Sequence, residues 1–181
     1  LYITQREKIM EIVIIGDGKV GYKLAKQLSV ENYDVVMIDG NEKKLRYAVD
    51  RLDIACVNGD GVDASVQKEA GVPHADLVIA CTSADESNLL SCLIAKRLGA
   101  KHTIARVRNP IYFNQLGLLK EDLHLSMAVN PELIVADEIS RLLLFPDASK
   151  IETFVKGQVE LIEFPIAADS RLIGMSLAEM Y

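Results

Sequence analysis

The sequence has few of the patterns that announce location or chemistry directly. Its longest unbroken apolar run is five residues, Leu77 to Cys81, whereas a bilayer span needs about 20. Three cysteines (Cys56, Cys81 and Cys92) form an odd set without CxxC spacing. That argues against a disulfide framework and for reduced, buried thiols in a cytosolic protein. Three histidines (His74, His102 and His124) lie far apart, with neither HxxxH nor HxH spacing, so no metal site is read from them. GxSxG and Walker GK[ST] signatures are absent, which removes the commonest hydrolase and P-loop readings. Positive charge is not in surplus: 20 Lys and Arg against 26 Asp and Glu give a net charge of -6. That balance disfavours a nucleic-acid groove or an anionic membrane surface as partner. The first residues carry mixed charge without an apolar core, so no secretory signal is read there. Internal repeats and low-complexity stretches are also lacking.

What remains is ordinary globular material. The 181 residues are 50% hydrophobic and 25% charged, enough for one domain and part of a second. Residues 1–9 precede Met10 and are read as an N-terminal extension or tag. From Met10 onward, short β-branched runs alternate with helical periodicity. Strands are expected at Met10–Ile15, Asp34–Ile38, Ile54–Val57, Leu77–Cys81, Thr103–Val107 and, more weakly, Leu123–Val129. Helices are expected at Lys19–Glu31, Glu42–Leu52, Ala64–Ala70, Asp85–Leu98 and a short Tyr112–Leu116. Continuous apolar strands between helices specify an α/β fold, a Rossmann-like doubly wound parallel sheet with right-handed crossovers.

Beyond the sheet, Pro131–Phe145 reads as an amphipathic helix with apolar Leu133, Ile134, Ala136, Ile139, Leu142 and Leu143. Glu152–Val155 and Gln158–Phe164 alternate like two half-exposed strands around a Lys156-Gly157 hairpin turn. Gly174–Met180 looks like the start of another helix. Such a tail is too short for a core of its own and is read as the opening of a second, partial α+β domain.

The strongest motif is Gly16-Asp17-Gly18-Lys19-Val20-Gly21, which follows the first expected strand and opens the first helix. In that setting the first glycine makes the tight turn, the second admits a pyrophosphate and the third allows helix–strand contact. The helix N-terminus then offers amides to phosphate oxygens. Asp39 ends the second strand 18 residues past Gly21, where a carboxylate accepts ribose hydroxyls. No arginine follows it to neutralise a 2′-phosphate, so NAD is favoured over NADP; Lys43 and Lys44 close behind weigh the other way. ADP and ATP share the same adenosine and diphosphate.

Other positions carry two readings each. Asn58-Gly59-Asp60-Gly61 ends the third strand; Asp60 either accepts an adenine amine or serves a glycine-supported turn. Ser83 and Glu86 stand at capping-box spacing before the fourth helix, while Thr82 borders the crevice. Arg106 and Arg108 alternate on one strand and are expected on one face, facing a phosphate, a partner's carboxylate or solvent. Tyr22 and Lys26 have YxxxK spacing but sit beside the phosphate loop, out of reach of a nicotinamide substrate. Hardly any of these residues remain to build a substrate domain, so a sensor is expected and not an enzyme.

Met10–Ala128 resembles the RCK N-terminal (KTN, TrkA-N) domain family. The resemblance runs through IIGDGKVG at 14–21, VVMID at 35–39, VNGDGVD at 57–63 and AGVPHADLVIACTSADESN at 70–88. It continues through AKRLGAKHTIARVRNP at 95–110 and NPELIVADEI at 130–139. The tail, FVKGQVELIEFPI at 154–166 and SRLIGMSL at 170–177, looks like the start of a TrkA-C (RCK-C) domain. The resemblance implies a division into residues 10–129 (nucleotide-binding), 130–146 (a crossover helix packing on a second subunit) and 147–181 (partial RCK-C). It implies NAD(H) or ATP/ADP as ligand, a homodimer or larger ring, and a membrane potassium transporter subunit of Trk type as partner at the cytoplasmic face. It places the phosphate loop on Gly16, Gly18 and Gly21 with Lys19 among them, and the ribose acid on Asp39. The adenine-side acid falls on Asp60 beside Gly59, and the rim facing ligand and dimer partner on Thr82, Glu86 and Arg106. The rival readings are a small NAD-dependent oxidoreductase or its cofactor-binding fragment, and a module serving some other transporter.

Overall fold

The computed structural model describes residues 9–119, 123–154, 159–176 and 178–179. Contacts divide the chain into two compact units, Leu1–Pro131 and Glu132–Tyr181. In the first, β1 (Glu11–Ile15), β2 (Asp34–Asp39), β3 (Ala55–Asn58), β4 (Leu77–Ala80), β5 (His102–Arg106) and β6 (Met127–Val129) form one sheet. Every pairing is parallel and the order is β3-β2-β1-β4-β5-β6. Strand order therefore reverses between β1 and β4, and a crevice opens there at the carboxyl ends. Between the strands run α1 (Lys19–Val30), α2 (Glu42–Val49), α3 (Ala64–Glu69), α4 (Asp85–Leu98) and α5 (Pro110–Leu119).

Alternation along the strands fills two cores, one on each side of the sheet. Val13, Ile15, Ile38, Val78 and Ala105 point to one side, with Cys92 and Ala95 of α4. Ile12, Ile14, Val35 and Met37 point to the other, against Ala25 of α1 and Leu45 and Ala48 of α2. Helix starts are set by local chemistry. Asn41 Oδ1 accepts from the amides of Lys43 and Lys44 at 3.1 and 3.3 Å. Asp63 caps α3 through the Ser65 amide at 2.7 Å, and Asn109 Oδ1 accepts from the Ile111 amide at 2.9 Å ahead of α5.

Three expectations change. The sixth strand shrinks to Met127–Val129, because His124 takes a left-handed φ of 48° and breaks the extended run. The short helix at Tyr112 lengthens to Pro110–Leu119, since Asn109 caps it and Pro110 suits a first turn. Arg106 and Arg108 do not share a strand face: β5 ends at Arg106, and the Asp85 carboxylate takes the amides of Arg108 and Asn109 at 2.8 and 2.7 Å, turning the chain.

The second unit holds α6 (Pro131–Leu144) and an antiparallel pair, β7 (Lys150–Phe154) with β8 (Val159–Glu163). Arg141 of α6 reaches Glu160 of β8 at 3.8 Å. The expected turn at Lys156-Gly157 lies outside the described residues. Of the helix expected over Gly174–Met180, the described residues form turns, with Leu177 and Met180 outside them.

One contact makes α1 and the sheet inseparable. A Cβ on Gly21 would stand 1.9 Å from the Gly16 carbonyl oxygen, a backbone atom, and 3.1 Å from Cys81 Sγ. Gly21→Ala is expected to lower the unfolding free energy by about 1–3 kcal/mol. Urea denaturation reads this directly; an unchanged midpoint would mean that the helix shifts freely away from β1.

Candidate functional site

Two hollows meet at the carboxyl ends of the central strands. One, of about 570 Å³, is lined by Gly16, Gly18, Lys19, Val20, Asp39, Lys44, Cys81, Thr82, Ser83 and Arg106. The other, of about 420 Å³, is lined by Asp39, Gly40, Asn58, Gly59, Asp60, Gly61 and Thr82, with Ile15, Gly16 and Ile38 at its floor. Gly16 and Asp39 belong to both, so the glycine loop and the end of β2 face one continuous crevice.

The loop takes its shape from β1 and its neighbours. The Gly16 amide donates to Ile38 O at 2.8 Å and the Cys81 amide to Ile15 O at 2.9 Å, carrying the sheet to its last residue. Gly16 itself has a φ of +108° and lies so near β4 that a Cβ would stand 2.9 Å from the Thr82 nitrogen. Only glycine serves there. Gly18 has open space where a Cβ would be, so a ligand can approach the backbone. It starts α1 without a side-chain cap and with no acid in the first turn. The first helical bond runs from the Tyr22 amide to Gly18 O at 2.9 Å, which leaves the preceding amides aimed at the crevice. Such a helix start is suited to an anion.

Asp39 stands beside this end. Its Oδ2 accepts from the Asp17 amide and its Oδ1 from the Asn41 amide, each at 2.8 Å. Each oxygen keeps a lone pair, so the carboxylate can still accept two hydroxyls. Asp60 is exposed and accepts from the Val62 amide at 3.1 Å, a turn-forming bond, while also lining the smaller hollow. The turn reading of that residue holds, and its place on the hollow leaves it within reach of a ligand.

Of the residues singled out from sequence, Gly16, Gly18, Lys19, Val20, Asp39, Thr82 and Arg106 line the larger hollow, and Gly59 and Asp60 the smaller. Gly21 is buried behind the loop, and Asp17 turns to a neighbouring groove between α1 and α2. Glu86 is not with them. It accepts from the Tyr112 hydroxyl at 2.8 Å, and a bond from its own backbone amide first, with that hydroxyl second, holds its carboxyl below the usual range. It lines a separate hollow with Ser83, Asp85, Arg108 and Asn109. The Ser83–Glu86 capping box does not form either. Ala84 occupies the N-cap position, and the Ala84 amide donates to Thr82 Oγ1 at 3.3 Å.

Sequence reasoning missed Asn88. It is fully buried, and its Nδ2 donates to Thr82 O at 3.3 Å and Arg106 O at 2.9 Å. Its Oδ1 accepts from the Thr82 amide and hydroxyl at 2.8 and 2.7 Å. One amide thus ties the ends of β4 and β5 at the crevice rim. No signal in the sequence singles it out, since α4 also carries Asp85, Glu86, Ser87 and Ser91. Cys81 faces the glycine loop, with its Sγ 3.5 Å from Gly16 O. Burial pushes its thiol up to about 11, so it stays protonated near neutral pH. All three cysteines are free thiols. Among the described residues no group of His, Cys, Asp and Glu is arranged to hold a metal ion, and no helix is long and apolar enough to cross a membrane.

A glycine loop at a helix start, an acid closing the next strand and a crevice at the reversal of strand order define a doubly wound protein of the nucleotide-site type. The particular family follows from comparison: residues 12–131 match the TrkA-N domain, and the chain belongs to that family. It is 39% identical over 172 residues to a Trk system potassium uptake protein TrkA homolog of Archaeoglobus fulgidus, covering 95% of this chain and 39% of that one. It is 36% identical to the Trk system potassium uptake protein TrkA of Halomonas elongata, covering 93% of this chain and 37% of that one. The chain thus spans under two fifths of the length of these relatives. Among solved structures, the TrkA-N domain of the inner membrane protein ybaL from Escherichia coli aligns with a TM-score of 0.66 and 17% identity, over 76% of this chain and 98% of that one. A GsuK channel bound to NAD aligns with a TM-score of 0.61 and 20% identity, over 83% of this chain and 26% of that one. At these identities the structural matches speak for the fold.

Proposed function

We propose that this chain is the nucleotide-sensing part of a regulatory subunit for potassium uptake, and that it is not an enzyme. The observation that carries the reading is the uncapped start of α1 beside an Asp39 carboxylate already oriented by two amides. An adenosine diphosphate group fits this pairing: the diphosphate meets the amides at Gly18, Lys19 and Val20, and the ribose meets Asp39. NAD(H) and ATP/ADP all carry that group. The similar solved structures include GsuK described in one case as bound to NAD and in another as bound to ADP. Gly59 and Asp60 take the adenine side, and Thr82 and Arg106 the phosphate rim. Glu86, held by Tyr112, faces a partner subunit.

Residues 10–129 act as the nucleotide-binding domain, 130–146 as a crossover helix and 147–181 as the start of an RCK-C domain. None of the fourteen residues of α6 is buried, and Ile134, Ile139 and Leu142 are 58, 51 and 57% exposed. An apolar stripe that open suits a second copy of the chain. The assembly sits at the cytoplasmic face of the membrane through a Trk-type transporter subunit. A nucleotide shifts its shape only by binding two arrangements with different affinity. A coupling of about 1–3 kcal/mol changes the transport equilibrium roughly 5–150-fold.

Two measurements check these assignments. Asp39→Ala is expected to weaken NADH and ADP binding by about tenfold or more, since a charged acceptor of two hydroxyls is lost; calorimetry giving unchanged affinity contradicts the ribose assignment. Replacing Ile139 and Leu142 together with Ser is expected to convert dimers to monomers in light scattering. A dimer that survives both changes contradicts the role given to α6.

A further inference from the structure

Beside the crevice lies a groove of about 730 Å³ between the starts of α1 and α2. Gly18, Lys19 and Lys44 line both, so the two spaces run together. The groove also exposes Asn41 and Lys43, and Asp17 forms part of its wall. Asp17 is an unusual occupant. It is only 7% exposed, and among the described residues no donor bonds its carboxylate. Its amide is spent on Asp39. Burial first, and then the Asp39 charge, push its carboxyl above the usual range, with Lys44 acting the other way. A largely buried residue whose carboxylate has no donor is costly.

The consequence follows if the crevice binds an adenosine diphosphate group as proposed above. A ribose held by Asp39 sets its 2′ position toward Asn41 and Lys44, where the chain leaves β2. A 2′-phosphate there meets two opposed influences. Lys19, Lys43 and Lys44 attract it, and none of them holds an ion pair among the described residues. They are exposed, however, and solvent and salt screen them. Asp17 is largely buried as a residue, so its charge is screened less than theirs. Asp39 repels too, and Asp17 adds a second carboxylate on the groove side. We propose that Asp17 is a second specificity-determining residue, beside Asp39, that excludes 2′-phosphorylated dinucleotides. The chain accordingly accepts NAD(H) and adenosine di- and triphosphates, although its lysines are otherwise placed to hold NADP(H).

Fluorescence titration of NADH and NADPH against wild type, Asp17→Asn and Asp17→Ala tests this. The first variant keeps the shape and the second removes the side chain, while the backbone bond to Asp39 stays in both. Wild type is expected to bind NADH and discriminate against NADPH. Either variant is expected to gain about tenfold or more in NADPH affinity, with NADH affinity near that of wild type. Adding Lys44→Ala to Asp17→Asn is expected to cancel most of the gain. NADPH binding that stays weak in both variants while NADH binding persists overturns the proposal, as does a wild type that binds both equally. Failure of all the proteins to bind NADH or ADP contradicts instead the nucleotide reading of the crevice, and the proposal falls with it.

Discussion

The Asp39 carboxylate accepts the Asp17 amide from one side and the Asn41 amide from the other, both at 2.8 Å. These two bonds tie the β1–α1 turn to the β2–α2 turn at the point where the sheet ends. They add a polar tie to the shared apolar core under α1 and α2 and to the Tyr22–Tyr47 ring contact between those helices. The same carboxylate is the group to which a ribose is assigned. Structure and binding therefore draw on one side chain, with each oxygen serving an amide and still open to a hydroxyl.

The opposite side of the crevice is built on the same principle. Asn88 uses both ends of its amide to join Thr82 and Arg106. Asp85, three residues earlier on α4, takes the amides of Arg108 and Asn109 and lies near the Arg108 guanidinium at 3.7 Å. Asn130 adds a bond of 2.9 Å to Arg108 O. Buried polar groups that are satisfied in this way specify one arrangement of the loop ends. A ligand that contacts Thr82 or Arg106 acts on loops that are already coupled, which suits a sensor better than a set of independent loops.

The sheet and the phosphate loop were legible because short-range rules decide them. Apolar runs in β1, β2 and β4 alternate with helices at lengths that suit a parallel sheet, and Gly21 is demanded by the Gly16 carbonyl within the same β1–α1 unit, while Gly16 also answers to Thr82 at the end of β4. Arg108 was misplaced for the opposite reason. Arg108 leaves the strand face because Asp85, 23 residues away in sequence, captures its amide. Glu86 is claimed by Tyr112, 26 residues away. Spacing alone cannot show which of several nearby donors a carboxylate will take. Asn88 was invisible on the same ground, and Asp17 was grouped with the phosphate loop although its side chain faces the α1–α2 groove.

The central claim is that the exposed amides at the start of α1 receive a diphosphate. Backbone amide NMR shifts followed during titration with ADP test it most directly. The account predicts the largest, saturable shifts at Gly18, Lys19 and Val20, with smaller ones at Thr82 and Asn41. Shifts confined to other faces of the sheet, or none at saturating ADP and NADH, would contradict it.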